Sequence, residues 1–306
     1  MTAATPSILA IIGPTASGKS ALAMKIAEHL GGEILSVDSM QVYRGMDIGT
    51  AKPGRDERER VRHHLIDVVE PNESFTVSRY VALADAVIAD AARRGVPLVV
   101  AGGTPLYFKS LFDGLFDGPA ADAELRTRFN AQPLEALHAR LTQVDPAAAE
   151  RIHVNDRKRL VRALEVYELT GQPISSMQNE WRDGATPRYR ATWIGLHWDR
   201  DAINRRINAR VKQMIADGWV EETRELLNQY NELSKTGAEA TGYAEIIAHL
   251  RGQVSLDDAI EQIKIATRQL ARRQMKWFRR FRDVTWLDGE LPLDELVQSA
   301  LAGHSE

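Results

Sequence analysis

The chain contains no cysteine. That excludes a disulfide framework, a thiolate metal site and a cysteine nucleophile. It has no apolar run near the roughly 18–20 residues that cross a bilayer; its first apolar stretch, Ile8–Ile12, is far shorter. The start, Met1–Pro6, lacks the basic opening and long apolar core of a secretory leader. A cytoplasmic location is therefore the expectation, with no membrane partner. A strong charge of one sign is also missing: 39 Lys and Arg against 42 Asp and Glu leave a net charge of −3. His63, His64, His138, His153, His197 and His249 show no metal-ligand spacing.

What the chain does have is the composition of a globular protein, 44% hydrophobic and 26% charged over 306 residues, enough for a substantial core. The near-neutral sum hides a local excess. From Ile263 to Arg282 the chain carries Lys264, Arg268, Arg272, Arg273, Lys276, Arg279, Arg280 and Arg282 and no acid. A second basic cluster comprises Arg157, Lys158, Arg159 and Arg162. Such concentrations matter more to a polyanion than the total charge does. The alternative is a solvated helix face. Trp277, Phe278 and Phe281 are interleaved with the basic residues, and they read as facing a core rather than stacking on bases.

The first third alternates strand and helix. Ile8–Ile12, Glu33–Val37 and Val96–Ala101 read as buried parallel strands; Ser20–Leu30 and Ser78–Arg94 have helical apolar spacing and end at glycines. This alternation predicts an α/β fold with a P-loop-type doubly wound parallel sheet. After the Gly/Pro/Asp-rich break Gly114–Ala121 the pattern is helical to Gly171, with one helix starting from Asn155 as its cap. We expect residues 1–116 and 188–306 to form the α/β core and 117–187 a helical insertion. Thr192–His197 returns to the sheet, and Val284–Leu287 reads as a last strand. Helices are expected over Asp199–Asp217, Val220–Tyr230, Tyr243–Leu250 and Ser255–Arg282.

Gly13-Pro14-Thr15-Ala16-Ser17-Gly18-Lys19-Ser20 matches G-x-x-x-x-G-K-[ST] between a predicted strand and a predicted helix. In that context the backbone N–H groups and the helix start cradle phosphate. Lys19 brings a full charge to the terminal phosphate, and the Ser20 hydroxyl can ligate Mg²⁺. A P-loop does not name a reaction. Kinases and NTPases add a carboxylate for the metal at the end of a neighbouring strand. Val96–Ala101 instead runs into Gly102-Gly103-Thr104, whereas Glu33–Val37 ends in Asp38. Asp38 reads either as a turn or cap residue in Asp38-Ser39, or as a base or metal-linked carboxylate. Ligands of open α/β sheets sit beyond the carboxyl ends of the strands, where Lys19, Asp38 and Thr104 would converge.

Several stretches together resemble the tRNA dimethylallyltransferases, also called isopentenyl-tRNA transferases. They are Gly13–Ser20, the run from Asp38-Ser39-Met40-Gln41 to Lys52-Pro53, and His64-Leu65-Ile66-Asp67. Further on come Gly102-Gly103-Thr104-Pro105-Leu106-Tyr107, Asn155-Asp156, Arg159–Glu165, Gly242-Tyr243 and Thr267–Gln274. The run from Asp38 to Pro53 is the most specific, and the resemblance covers essentially the whole chain.

The resemblance implies transfer of a dimethylallyl group from dimethylallyl diphosphate to the exocyclic amine of the adenosine just 3′ of the anticodon. The P-loop would then hold a departing diphosphate, with Mg²⁺ as cofactor on Ser20. Arg210 looks like the family's diphosphate-binding arginine; by itself it reads as an exposed helix charge. Asp38 would take a proton from the adenine amine, or orient it, with Thr104 hydrogen-bonding nearby; Thr104 also reads as a helix cap. By the same resemblance, Asp38, Ser39, Met40, Gln41, Thr104, Arg126, Lys158, Arg159, Leu160, Val161, Arg162, Gly242 and Tyr243 would meet the tRNA anticodon stem-loop. A monomer is the expected state. Where some relatives have Cys-Val before the Gly-Tyr pair, this chain has Ala240-Thr241.

Two other readings compete. A nucleotide or small-molecule kinase would put ATP on the P-loop and close the helical insertion over it. A non-catalytic RNA-binding NTPase would use a nucleotide as a switch. The first needs a metal carboxylate after Val96–Ala101, and the second leaves Asp38 without a task.

Overall fold

Ile8–Ile12 (β1) is apolar at every position because both faces of the strand are covered. In the computed structural model, which describes residues 6–115, 118–177 and 186–303, Ile8, Ala10 and Ile12 enter one core. Leu9 and Ile11 enter the other. The same logic makes runs of Glu33–Val37 (β2) and Leu98–Gly102 (β4). With His63–His64 (β3), Thr192–His197 (β5) and Val284–Asp288 (β6) they form one six-stranded sheet in the order β3-β2-β4-β1-β5-β6. Every pairing is parallel.

Helices lie on both faces. Val77–Arg94, Pro105–Phe112, Arg200–Ala216 and Leu256–Phe278 bury apolar residues in the larger core. Lys19–Leu30 and Leu293–Ala302 pack on the opposite side. The doubly wound α/β expectation holds. The basic helix is shorter than expected, ending at Phe278 rather than Arg282. β3 was not anticipated, since two residues at a sheet edge carry no periodic signal.

Register positions the site. Gly102 of β4 sits opposite both Ile12 of β1 and Val37 of β2. Three chain exits therefore lie side by side: the P-loop after Ile12, Asp38 after Val37, and Gly103-Thr104 after Gly102. Glycine is required at 102, because a Cβ there would lie 2.0 Å from the Val37 carbonyl oxygen.

The chain divides into Met1–Phe112 with Tyr189–Glu306, and a second compact unit, Asp113–Arg188. The insertion start expected at Asp117 lies outside the described residues, as do Met1–Thr5 of the expected leaderless start. The second unit has its own core, built around Phe129, Leu137, Leu141, Leu160 and Leu164. One expectation needs correction there: the helix Arg157–Thr170 is capped by Asp156, not Asn155, with the carboxylate accepting from the Arg159 N–H at 3.2 Å.

Candidate active site

The P-loop leaves β1 and turns into the helix Lys19–Leu30 through two left-handed residues, Ala16 (φ 64°) and Gly18 (φ 92°). That curl aims the backbone N–H groups of the loop inward. Its outer side is tethered by the segment after β5. Trp198 Nε1 donates to the Ser17 carbonyl at 3.0 Å, and Arg206 Nε donates to the Ala16 carbonyl at 2.9 Å. The Arg206 guanidinium also lies over the Trp198 ring, 4.4 Å from its centroid.

Within the loop, the Lys19 ammonium donates to the Pro14 carbonyl at 3.2 Å. Burial, helped by the charge of Arg210, pulls its pKa down to about 8, against the opposing pull of Asp38. Arg210 is likewise drawn below the usual arginine range, chiefly by burial; Asp38 opposes this and Arg206 adds to it. Two cations crowd one spot, an arrangement that stores affinity for an anion.

Lys19, Ser20 and Thr15 form one end of a cavity of about 410 Å³. Asp38, Ser39, Met40, Gln41, Thr104 and Arg210 line it too, so these expected site residues do come together. Asp38 makes the turn that the sequence allowed, and it also lines the cavity. One oxygen, Oδ1, accepts from the Met40 N–H at 2.8 Å and the Gln41 N–H at 3.4 Å, forming a turn that fixes the carboxylate beside the cavity. Thr104 does not use its hydroxyl as a helix cap. Its carbonyl accepts from the Tyr107 N–H at 3.0 Å, while Oγ1 accepts from the Ser39 N–H at 3.0 Å and donates to the Ser39 hydroxyl at 3.3 Å. Gln41 is held by its own neighbours: Oε1 accepts from the Ser36 hydroxyl at 2.8 Å and Nε2 donates to the Ala51 carbonyl at 3.2 Å.

Other cavity residues were missed or seen in a different light. Met40, Leu106, Leu270 and Trp277 supply apolar wall, and Arg273 reaches in from the basic helix. Gln274 spans the cavity floor: Oε1 accepts from the Thr15 N–H at 2.8 Å, and Nε2 donates to the Gly103 carbonyl at 2.6 Å. A signal for it exists in the sequence, since a glutamine stands on the buried stripe with Ala271 and Phe278. Arg206, with Trp198 beneath it, was also not anticipated.

Several expected RNA contacts are placed otherwise. The Tyr243 ring is fully buried and its hydroxyl donates to Glu222 at 2.6 Å; that carboxylate also accepts from the N–H groups of Asp47 at 2.8 Å and Ile48 at 2.7 Å. Gly242 lies against Trp219, whose ring a Cβ would strike. Leu160 and Val161 belong to the core of the second unit. These side chains support the fold instead of presenting a surface.

In the basic helix, Lys264 is buried and paired with Glu261 at 2.6 Å, and Arg268 donates to Asn208 at 2.8 Å. Arg272, Arg273, Lys276, Arg279, Arg280 and Arg282 are exposed. Among the aromatics, Phe278 is buried and Phe281 packs on Trp193, as expected of core residues. Trp277 faces the cavity instead.

In the second unit, Glu165 has no exposed surface and binds two guanidinium groups. Arg126 grips it through both oxygens, at 2.7 and 3.0 Å, and Arg162 at 2.7 Å. Burial alone would raise the Glu165 pKa, but these bonds outweigh it and hold the group ionised. Lys158 and Arg159 are exposed on the same helix.

Residues 41–281 match the IPP transferase family model. The chain is 47% identical over 298 residues to the tRNA dimethylallyltransferase of Geobacter metallireducens, covering 96% of each chain. It is 46% identical to that of Geobacter sulfurreducens, with the same coverage. Among solved structures it is similar to the tRNA isopentenylpyrophosphate transferase of Bacillus halodurans, at 37% identity and TM-score 0.73, covering 97% of this chain and 96% of that one. A eukaryotic dimethylallyltransferase, solved acting on tRNA, superposes with TM-score 0.81 at 29% identity over 93% of this chain and 74% of its own.

Proposed function

The chain belongs to the IPP transferase family, and from that premise we propose the reaction its cavity performs. It is a tRNA dimethylallyltransferase activity: the dimethylallyl group leaves dimethylallyl diphosphate and joins the exocyclic amine of the adenosine 3′ of the anticodon. The observation that carries this reading is the pairing of a cationic P-loop with Asp38 in one cavity, while β4 ends in Gly102 rather than a metal carboxylate. A kinase would need that carboxylate. A diphosphate leaving group needs only charge at the loop and a base opposite.

The chemistry follows from the lining. The amine nitrogen forms a bond to the allylic C1 as the C1–O bond breaks, and that electron pair leaves on the diphosphate. Lys19, Arg210 and the loop N–H groups meet the charge as it develops, which is the term preorganised sites supply best. The proton released from the amine passes to the Asp38 carboxylate, already fixed by two backbone N–H groups. Thr104 and Ser39, bonded to each other, form the polar edge against which the amine is positioned. Met40, Leu106, Leu270 and Trp277 exclude water from the allylic carbon.

Ser20, exposed at the loop and lining the cavity, offers the hard oxygen donor that suits Mg²⁺, whose remaining ligands are typically phosphate oxygens and water. When bound, the ion adds positive charge where the diphosphate departs. For tRNA, the exposed Arg272, Arg273, Lys276 and Arg279 would bind phosphates on the core unit. On the helical unit, taken by itself, the exposed Lys158 and Arg159 would do the same, while Arg126 and Arg162 are held by Glu165.

The test is incorporation. Purified protein, unmodified tRNA, Mg²⁺ and labelled dimethylallyl diphosphate should place label in the RNA, and Asp38→Asn should abolish it. ATP hydrolysis without labelled RNA overturns the reading.

A further inference from the structure

Gln274 is a polar side chain buried in the core unit, with 7% of its surface exposed. It stands on the helix Leu256–Phe278, flanked in sequence by the exposed Arg273 and followed one position beyond Met275 by the exposed Lys276. Its amide makes two bonds, each to main chain and each across the cavity floor. One is to the P-loop, at the Thr15 N–H; the other is to the exit of β4, at the Gly103 carbonyl. Those two segments hold the opposite halves of the chemistry. Thr15 belongs to the loop that carries Lys19, and Gly103 precedes Thr104. The spacing is tight on both sides: a Cβ at Gly103 would lie 2.7 Å from Gln274 Nε2 and 3.7 Å from Lys19 Nζ.

Resting on the transferase reading above, we infer that Gln274 is a positioning residue: its amide fixes the distance between the diphosphate loop and the Thr104 edge that holds the adenine amine. The strands beneath place the two exits side by side, but both segments leave the sheet at that point, and the P-loop spends two left-handed residues turning away. A donor and an acceptor on one planar amide hold both segments in one plane, which an apolar residue of equal size cannot do. In-line displacement at an allylic carbon depends on that alignment.

The polarity of the bridge makes it testable. Both main-chain partners line the cavity, so water can satisfy them once the amide is gone, and the fold should survive Gln274→Met. Gln274→Glu keeps the acceptor toward Thr15 but puts a second oxygen against the Gly103 carbonyl, unless the carboxyl carries a proton and donates. Steady-state labelling with both variants and wild type, together with melting curves, decides the matter.

We expect Gln274→Met to lose kcat by about 10- to 100-fold, the size of effect misplacement by about an ångström produces. KM for tRNA should stay within about twofold, and the melting temperature within a few degrees. Gln274→Glu should be poor at pH 8 and should recover relative to wild type as pH falls toward 5.5, since burial favours the protonated carboxyl that restores the bridge, against the opposing charges of Lys19 and Arg273. The inference is overturned if Gln274→Met keeps wild-type kcat. It is equally overturned if kcat, tRNA KM and melting temperature all collapse together with no pH recovery in Gln274→Glu, which marks a purely structural residue. Wild type that fails to label tRNA sinks the transferase reading itself, a separate result.

Discussion

Two lysines of the core unit, Lys19 and Lys52, are treated in opposite ways. The Lys52 side chain is wholly buried, and its ammonium donates to the Tyr43 carbonyl at 2.6 Å, Asp47 at 2.5 Å and Asp67 at 2.6 Å. All three donor hydrogens are used, so Lys52 stitches together the loop that follows Asp38. Lys19 has one weak neutral partner, the Pro14 carbonyl, with the repulsion of Arg210 set against the attraction of Asp38. Lys52 sits in the low-dielectric interior, where an unpaired charge is expensive, and Lys19 stands half-buried on the cavity wall. The difference separates scaffold from site: one charge is already neutralised, and the other waits for an anion.

The largest test of that contrast is activity. Lys19→Met should cut kcat by about 10²–10³-fold, the range for losing one preorganised group at a developing charge, while leaving the melting temperature level or higher. The sign follows from linkage. Lys19 has its pKa lowered to about 8 in the folded chain from 10.5, so between those values the unfolded state binds more protons and stability rises with pH. Removing the group removes that cost below pH 8. Lys52→Met should do the reverse. Stability should fall by roughly 3 kcal/mol, toward the low end for a broken buried pair because Asp47 and Asp67 keep some solvent, as read by denaturant titration. If Lys52→Met instead kills activity with stability intact, the contrast is wrong.

The third test is pH. On the proposed reading diphosphate binds the charged form of Lys19, so its affinity should fall by up to about tenfold per unit above pH 8, as one proton is linked to binding, and Lys19→Met should flatten that dependence. Titration calorimetry with inorganic diphosphate measures it. The smallest effect extends the comparison to the basic helix. Arg272→Glu with Arg279→Glu should reduce the salt slope of tRNA binding by about 1 for each phosphate no longer neutralised. Lys264→Gln should leave that slope unchanged, because its ammonium is already spent on Glu261.

The same division between satisfied and waiting groups explains what the sequence could disclose. Gly13–Ser20, Asp38 and Thr104 were legible because strand, turn and helix signals are local and the chemistry gathers at strand ends. The sheet was legible from Ile8–Ile12 and its kin for the same reason. The stripe could signal that Gln274 is buried but not what it bonds, because its partners lie 259 and 171 residues away. Nor could charge alone separate Lys264 and Arg268, which serve the interior, from Arg272 and Arg279, which face solvent. Leu160, Val161 and Tyr243 lie in matching stretches, yet their side chains are taken by cores that the resemblance does not reveal.

The tether of the P-loop by Trp198, Arg206 and Gln274 has a consequence for the chain as it is being made. With elongation at roughly 5–20 residues per second, the loop motif leaves the ribosome long before any of the three side chains that shape it. A nascent chain of about a hundred residues carries the signature of phosphate binding without the finished cradle. The cradle is complete only when the basic helix docks and Gln274 meets the Thr15 N–H.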